Sequence, residues 1–305
     1  MIEAGIGLPG QSVEDVRAAA EAADEFDFAS FSVYGDLGDL SPYAVLHASA
    51  DLLKEGPVRY VGPMGVPVGM QHPEVIATHA KALEEQLPGQ SSIGLVRGAF
   101  MEQIGARPAT LAQLEATVNH IRNRFEPGEV PPIFLGGFGP KLLQMAGRLG
   151  VTGVKLGGSA NPALAERARS IIDNPDVRIV LGAVSVIDSD RGKARALART
   201  EVAKYLDVVG DLDPTLDGHE QASLAAFKER FKAGDPSAGD AISDALLDKF
   251  ALAGTPSDAL EALERMGQSA DRFEFGTHTD LVSAQTLSGI SARPLLAAST
   301  GRYYR

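Results

Sequence analysis

The chain contains no cysteine and no tryptophan. The first absence excludes disulfides, thiolate catalysis and cysteine-ligated metal. The second leaves aromatic contacts in any site to Phe, Tyr and His. Basic residues are in short supply: 28 Lys and Arg stand against 40 Asp and Glu, a net charge of −12. A nucleic-acid partner wants a basic face, so none is expected. No apolar run approaches membrane-spanning length, and Met1-Ile2-Glu3 leads into a strand without the basic region and long apolar stretch of a signal segment. A cytoplasmic protein with no membrane partner is the expectation. Dense His/Asp/Glu clusters are missing as well, which disfavours a metal hydrolase, and no G-x-S-x-G elbow occurs.

What is present is a regular alternation of strand and helix. Ile2 to Leu8 reads as the first strand, with Ile2, Ala4, Ile6 and Leu8 on one parity. Ser12 can cap the helix that follows, with Asp15 at its third position. Phe28–Tyr34, Val58–Val61, Ser92–Val96, Pro132–Leu135, Val151–Leu156, Val177–Val186 and Arg272–Gly276 supply the later strands. Helices are expected from Pro42 to about Lys54, after His72-Pro73, over Thr110–Phe125, from Pro140, near Pro162, over Asp190–Val209 and Ile242–Phe250, after Thr255-Pro256, and over Ala284–Ala298. About eight strand–helix repeats imply an α/β protein, a (β/α)8 TIM barrel with an insertion after strand seven. A doubly wound open sheet is the competing architecture. Residues 1–305 are expected to form a single domain, with the polar stretch at about 207–245 as a solvated lid or insertion.

In a barrel the active site lies where the strands end. Two exits here are glycine-rich: Gly136-Gly137-Phe138-Gly139-Pro140-Lys141, and Gly157-Gly158-Ser159. Glycines let the backbone approach a ligand closely, and a helix that starts just after them has first-turn N–H groups to offer an anion. Both turns are therefore candidate phosphate sites, although glycine turns follow strands in many α/β proteins and this is not the dinucleotide fingerprint. Exits rich in glycine and poor in acid–base pairs suit an enzyme whose cofactor supplies the difficult chemistry.

The segment Gly136 to Lys141 with Ala146-Gly147-Arg148 resembles the luciferase-like superfamily, whose members are flavin-dependent monooxygenases and reductases or dehydrogenases using the deazaflavin coenzyme F420. Further stretches extend the resemblance over most of the chain: Val61-Gly62-Pro63-Met64-Gly65, His72 to Ala77, Leu87 to Gln90, Ile93 to Gly98, Phe250 to Asp258, and Phe273 to Gly276. The resemblance implies the same barrel, a non-prolyl cis peptide at Met64–Gly65 against the cofactor ring, and cofactor phosphate near Arg97-Gly98 and Phe138-Gly139. It places the rest of the cofactor toward Gly137, Lys141, Gly157 and Gly158. The sugar-phosphate dehydrogenases of the deazaflavin branch carry a His and a Glu where this chain has about Gly35 and Ala99, so that oxidation is not expected. The expected activity is an F420-dependent oxidoreductase, a reductase passing hydride to an activated C=C or C=N bond of a small molecule. The alternatives are an FMN-dependent monooxygenase and a non-catalytic cofactor-binding paralogue. A homodimer is implied by the resemblance alone.

Each candidate side chain has a plainer reading beside its functional one. Tyr34 is a candidate proton donor or a rim residue, and Asp36 a substrate-orienting or a solvated acid. His72 contacts cofactor or caps a helix, Glu102 is functional or solvated, and His278 is a rim histidine or a site residue. Arg97 meets a phosphate or makes a surface ion pair. Lys155 is unexpected in a buried strand, since a buried ammonium is costly; it snorkels outward or meets an acid or phosphate.

Overall fold

A computed structural model describes residues 2–35, 39–54 and 56–276. In chain order the first elements are β1 (Glu3–Pro9), α1 (Val13–Glu25), β2 (Ser30–Tyr34), α2 (Pro42–His47), β3 (Tyr60–Pro63) and β4 (Val66–Pro67). Next come α3 (Pro73–Gln86), β5 (Ile93–Val96), α4 (Leu111–Arg122), β6 (Ile133–Gly136), α5 (Pro140–Leu149), β7 (Gly153–Gly157) and α6 (Pro162–Ile172). The remainder is β8 (Arg178–Ile187), α7 (Arg191–Ala203), α8 (Leu206–Val209), α9 (Gly218–Lys232), α10 (Asp244–Phe250), β9 (Ala251–Gly254), α11 (Pro256–Met266) and β10 (Arg272–Gly276). This order of strands and helices is that of the (β/α)8 barrel, and every registered strand pair is parallel.

The chain divides into two compact units. The first comprises residues 4–155 and 171–178. Within it β1 pairs β2 and β2 pairs β3, while β4, β5, β6 and β7 pair in succession. A single parallel bridge from Val61 to Ser91 joins the two runs. One parity of these strands is apolar and buried: Ile6, Leu8, Phe31, Val33, Val61, Leu95, Leu135 and Val154. The other parity is mostly small or polar, with Gly7, Ser32 and Gly62 in register, and Val96, Gly136 and Lys155 likewise. Paired positions in parallel strands send side chains to the same face. The Lys155 ammonium donates to Ser32 Oγ at 3.4 Å, so both sets lie on one inner face.

The second unit comprises, among the described residues, 2–3, 156–170 and 179–276. Here β10 and β9 both pair with β8. The polar stretch expected as a lid holds α9, whose Leu224 and Phe227 join Ala198, Val202, Leu206, Ile242, Leu246 and Phe250 in a buried cluster. The capping box of Asp217 and Glu220 starts that helix, and too few apolar residues recur along it to announce it in the sequence.

Several boundaries differ from expectation. The second helix ends at His47 and is followed by a 3-10 turn at Ala50–Leu52 rather than continuing to Lys54. The single helix expected over Asp190–Val209 breaks between Ala203 and Leu206, where the Tyr205 hydroxyl donates to the Phe250 carbonyl at 2.8 Å. The short strands β4 and β9 were not expected; two and four residues are too few to show a period. Caps behave as the sequence suggests: Ser12 accepts from the Asp15 N–H, and Thr255 and Asp258 form a capping box at Pro256. The expected helix at Ala284–Ala298 lies outside the described residues.

Candidate active site

The site is built first from missing side chains. The peptide between Met64 and Gly65 is cis, at the position the resemblance implies. Beside it, a Cβ on Gly65 would meet Val96 Cγ1 at 2.4 Å, and one on Gly94 would meet Met64 Sδ at 2.1 Å. A Cβ on Gly136 would meet Val96 Cγ1 at 2.6 Å and Met64 Cε at 3.5 Å. Glycine at these three positions lets the Met64 and Val96 side chains lie flat against the backbone, making a smooth wall at the ends of β3, β5 and β6. Met64 is 9% exposed, so the wall has little loose surface.

The two glycine turns differ. Gly137 has φ +150 and donates its N–H to the Lys155 carbonyl at 3.1 Å. Gly139 is the N-cap of α5, with Pro140 at the first helical position and no side-chain cap. A Cβ on Gly139 would meet nothing within 4 Å. A helix start without a side-chain cap, facing open space, fits an anionic ligand group. The second turn is committed internally. Gly158 and Ser159 donate their N–H groups to the Gly182 carbonyl at 2.6 and 3.0 Å, and Ala160 donates to the Lys249 carbonyl at 2.8 Å. The Asn161 N–H goes to Ser159 Oγ at 3.2 Å. A Cβ on Gly157 would again find open space, whereas Gly158, at φ +78, lies against the Tyr205 ring. Backbone approach remains possible at Gly157, while the amides of Gly158 through Asn161 already have acceptors.

The candidate side chains divide by place. Tyr34 is half-buried at the end of β2, and its carbonyl accepts from the Gly10 N–H at 3.0 Å. Asp36 and His278 lie outside the described residues. His72 is the N-cap of α3: its ring Nδ1 accepts from the Glu74 N–H at 3.2 Å, and its ring stands edge-on to His120 at 6.3 Å. The plainer reading of His72, a helix cap, accounts for these contacts. Glu74 in turn bonds His120 and Arg124, which hold its carboxyl below the usual carboxylate range. Arg97 is exposed, and its Nε donates to the Ala109 carbonyl, so its guanidinium is tied to the loop before α4. Gly98, at φ +92, is packed against Met101. Glu102 is exposed on a 3-10 turn, and Lys141 is exposed in the first turn of α5. Phe138 is half-buried between Gly137 and Gly139. Lys155 does not snorkel outward; it is 9% exposed and turns inward to Ser32.

Some residues escaped the sequence reading. Ser32 is the inner-face partner of Lys155, signalled only by its parity in β2. Asn161 is fully buried and donates from Nδ2 to Asp213 Oδ2 and Thr215 Oγ1, both at 2.8 Å. Tyr43 is buried and stacks on His79 with ring centroids 4.4 Å apart. Burial pushes the Tyr43 phenol up, and burial with the nearby His47 pushes the His79 imidazole down. These packing positions carry no motif. Among the described residues, no group of three or more His, Asp or Glu is placed to hold a metal ion, and no helix is long and apolar enough to cross a membrane.

Known proteins share both sequence and fold with this chain. A 5,10-methylenetetrahydromethanopterin reductase of Archaeoglobus fulgidus is 32% identical over 165 residues, 48% of this chain and 47% of that protein. The same-named protein of Methanolobus tindarius is 32% identical over 146 residues, 44% of each chain. The matches thus span about half the length of these relatives. Among solved structures, the coenzyme F420-dependent tetrahydromethanopterin reductase from Methanopyrus kandleri superposes with a TM-score of 0.76 at 17% identity, covering 97% of both chains. This likeness shows the shared fold. The family model described as luciferase-like monooxygenase matches residues 2–272, and the chain belongs to that family.

Proposed function

We propose that the protein is a coenzyme F420-dependent oxidoreductase acting as a reductase on a small unsaturated substrate. The observation that carries this reading is the pairing of the Met64–Gly65–Val96–Gly136 wall with the open, uncapped start of α5 at Gly139. The wall offers a flat apolar backing to a planar ring, and the turn offers backbone donors to a phosphate. The names of the two sequence relatives support reduction, and the name of the Methanopyrus structure supports both reduction and F420.

When bound, the cofactor supplies the hydride. The remaining work falls to the chain. Met64, Gly65 and Gly136 would back the cofactor ring. Phe138 and Gly139 would hold the phosphate by backbone, with Gly137, whose own N–H goes to the Lys155 carbonyl, shaping the turn and Arg97-Gly98 and Lys141 at its margins; Gly157 and Gly158 remain proposed cofactor contacts of the second turn. Tyr34, half-buried at the rim, holds a hydroxyl proton where a reduced substrate needs one. Glu102 is too exposed to serve as more than a peripheral acid. The chain is proposed to act as a homodimer, to be checked by sedimentation.

A second reading is an FMN-dependent monooxygenase. Solved structures with this fold include a type II Baeyer–Villiger monooxygenase in complex with FMN, with a TM-score of 0.61. Fluorescence titration with F420 and, separately, with FMN tests both. Tight F420 binding with weak FMN binding supports the reductase. The reverse, with oxygen consumed when reduced FMN is supplied, replaces it with the monooxygenase. Cofactor binding without turnover over a panel of activated C=C and C=N compounds leaves a non-catalytic binding protein.

A further inference from the structure

The second glycine turn has no amides left to offer an anion. The N–H groups of Gly158, Ser159, Ala160 and Asn161 all have acceptors, yet the space beside Gly157 is open. What borders that turn is apolar. A Cβ on Gly158 would stand 3.2 Å from the Tyr205 ring and 3.6 Å from Val209 Cγ2, so the start of α8 packs directly on the turn. Val208 and Val209 are half-buried on α8, and the 3-10 turn that follows, Gly210–Leu212, leaves Leu212 42% exposed. This strap is fixed at both ends. The Tyr205 hydroxyl donates to the Phe250 carbonyl at its start, and Asn161 donates to Asp213 and Thr215 just beyond its end. The charges nearby do not favour an anion either. The strap itself carries Asp207 and Asp211. Lys204, Lys228 and Lys249 around it are each paired with a carboxylate, those of Glu201, Asp211 and Glu220. Burying an anion without donors is costly, whereas an uncharged group gains by covering apolar surface.

Resting on the reading of the protein as a reductase of a small unsaturated molecule, we infer that the strap and the second glycine turn form an apolar subsite for an uncharged hydrocarbon part of the substrate, with Val209 setting the preference. Gly157 leaves the space, and Val208, Val209 and Leu212 supply the wall. The two glycine turns then divide their tasks: the uncapped start of α5 takes the phosphate, and the second turn takes hydrocarbon. The cofactor contacts proposed for Gly157 and Gly158 are accordingly contacts to its uncharged part. Because Asn161 and Tyr205 pin the strap in the free protein, little of the wall has to be ordered when the ligand arrives.

The test uses two probes with the same styryl body, uncharged benzylideneacetone and the carboxylate cinnamate, and inorganic phosphate as a competitor. Saturation-transfer NMR titrations are run on the wild type and Val209→Thr without cofactor. Val209→Thr keeps the shape of the side chain and puts a hydroxyl in the wall. The expected result is benzylideneacetone binding at least about tenfold tighter than cinnamate, with that preference reduced at least about threefold in Val209→Thr. Phosphate should not displace the uncharged probe. Equal affinity for the two probes, preference for cinnamate, displacement by phosphate, or binding of neither probe at millimolar concentration overturns the inference. So does a preference left unchanged in Val209→Thr. Should that variant not fold, Leu212→Ser, at an exposed position, is read in the same way. F420 is then added to the wild type with benzylideneacetone bound: a retained probe signal supports a substrate subsite, and its loss assigns the turn to the cofactor and overturns the inference. None of these titrations needs turnover. Benzylideneacetone binding in a protein that takes up neither F420 nor FMN would sink the cofactor reading and leave the apolar subsite standing.

Discussion

Replacing Gly139 by alanine separates a ligand site from an ordinary barrel turn. Gly139 has φ −69 and ψ 139, values open to any residue, and its added Cβ would meet nothing within 4 Å. Folding should therefore be almost indifferent. Fewer unfolded conformations contribute about 0.4–1 kcal/mol in favour of alanine, while losing a glycine N-cap costs a similar amount, on the order of 0.5–1 kcal/mol. The melting temperature is expected to stay within about 2 °C of wild type. Ligand binding should respond differently, because the methyl group enters the space that a phosphate would need to reach the first amides of α5. A loss of at least about tenfold in cofactor affinity is expected, about 1.4 kcal/mol. Fluorescence titration gives the affinity and scanning calorimetry the stability, on the same preparation. Binding within twofold of wild type would refute the placement of an anion at this turn. A large fall in melting temperature would refute the claim that the space is open.

Gly94→Ala should show the opposite pattern: its Cβ would fall 2.1 Å from Met64 Sδ and 2.6 Å from the Pro63 carbonyl oxygen. Overpacking of this kind costs about 1–3 kcal/mol, and a clear drop in melting temperature by calorimetry is expected. Asn161→Ala removes two donors from Asp213 and Thr215 and leaves the buried Asp213 carboxyl poorly paired; urea unfolding should show a loss of about 1–3 kcal/mol, and no change would mean that water replaces the amide. Asp235 is held at a pKa of about 2 by the Ser237 hydroxyl, then Arg230 and the Ser237 N–H. A folded-state pKa below the unfolded value gives stability that is complete above about pH 4 and lost as the pH falls toward 2. Asp235→Asn should flatten that part of the stability–pH curve, and an unchanged slope would sink the assignment.

The sequence by itself determined the alternation of the chain and hence its class. Ile6 and Leu8, or Val154 and Leu156, stand at every second place because one face of each strand must be buried, and that pattern is local. Caps such as Ser12 and Thr255 are equally local: a hydroxyl three residues before an amide needs no distant partner. Helix α9 was hidden because its stability comes from a shared cluster with α7 and α10 rather than from its own periodicity. The site was legible as a set of glycine-rich strand ends, but the worth of each glycine was not. The two glycine turns look alike in the sequence, yet only the fold decides that the amides of Gly158 through Asn161 all find acceptors while the helix after Gly139 starts without a side-chain cap. The direction of Lys155 was also undecided, since a strand residue's two faces become an inside and an outside only when the sheet curves. Its bond to Ser32, 123 residues earlier in the chain, makes that choice. Local sequence sets which conformations are available; where a polar group finds its partner depends on residues far apart in the chain, and that only the tertiary structure supplies.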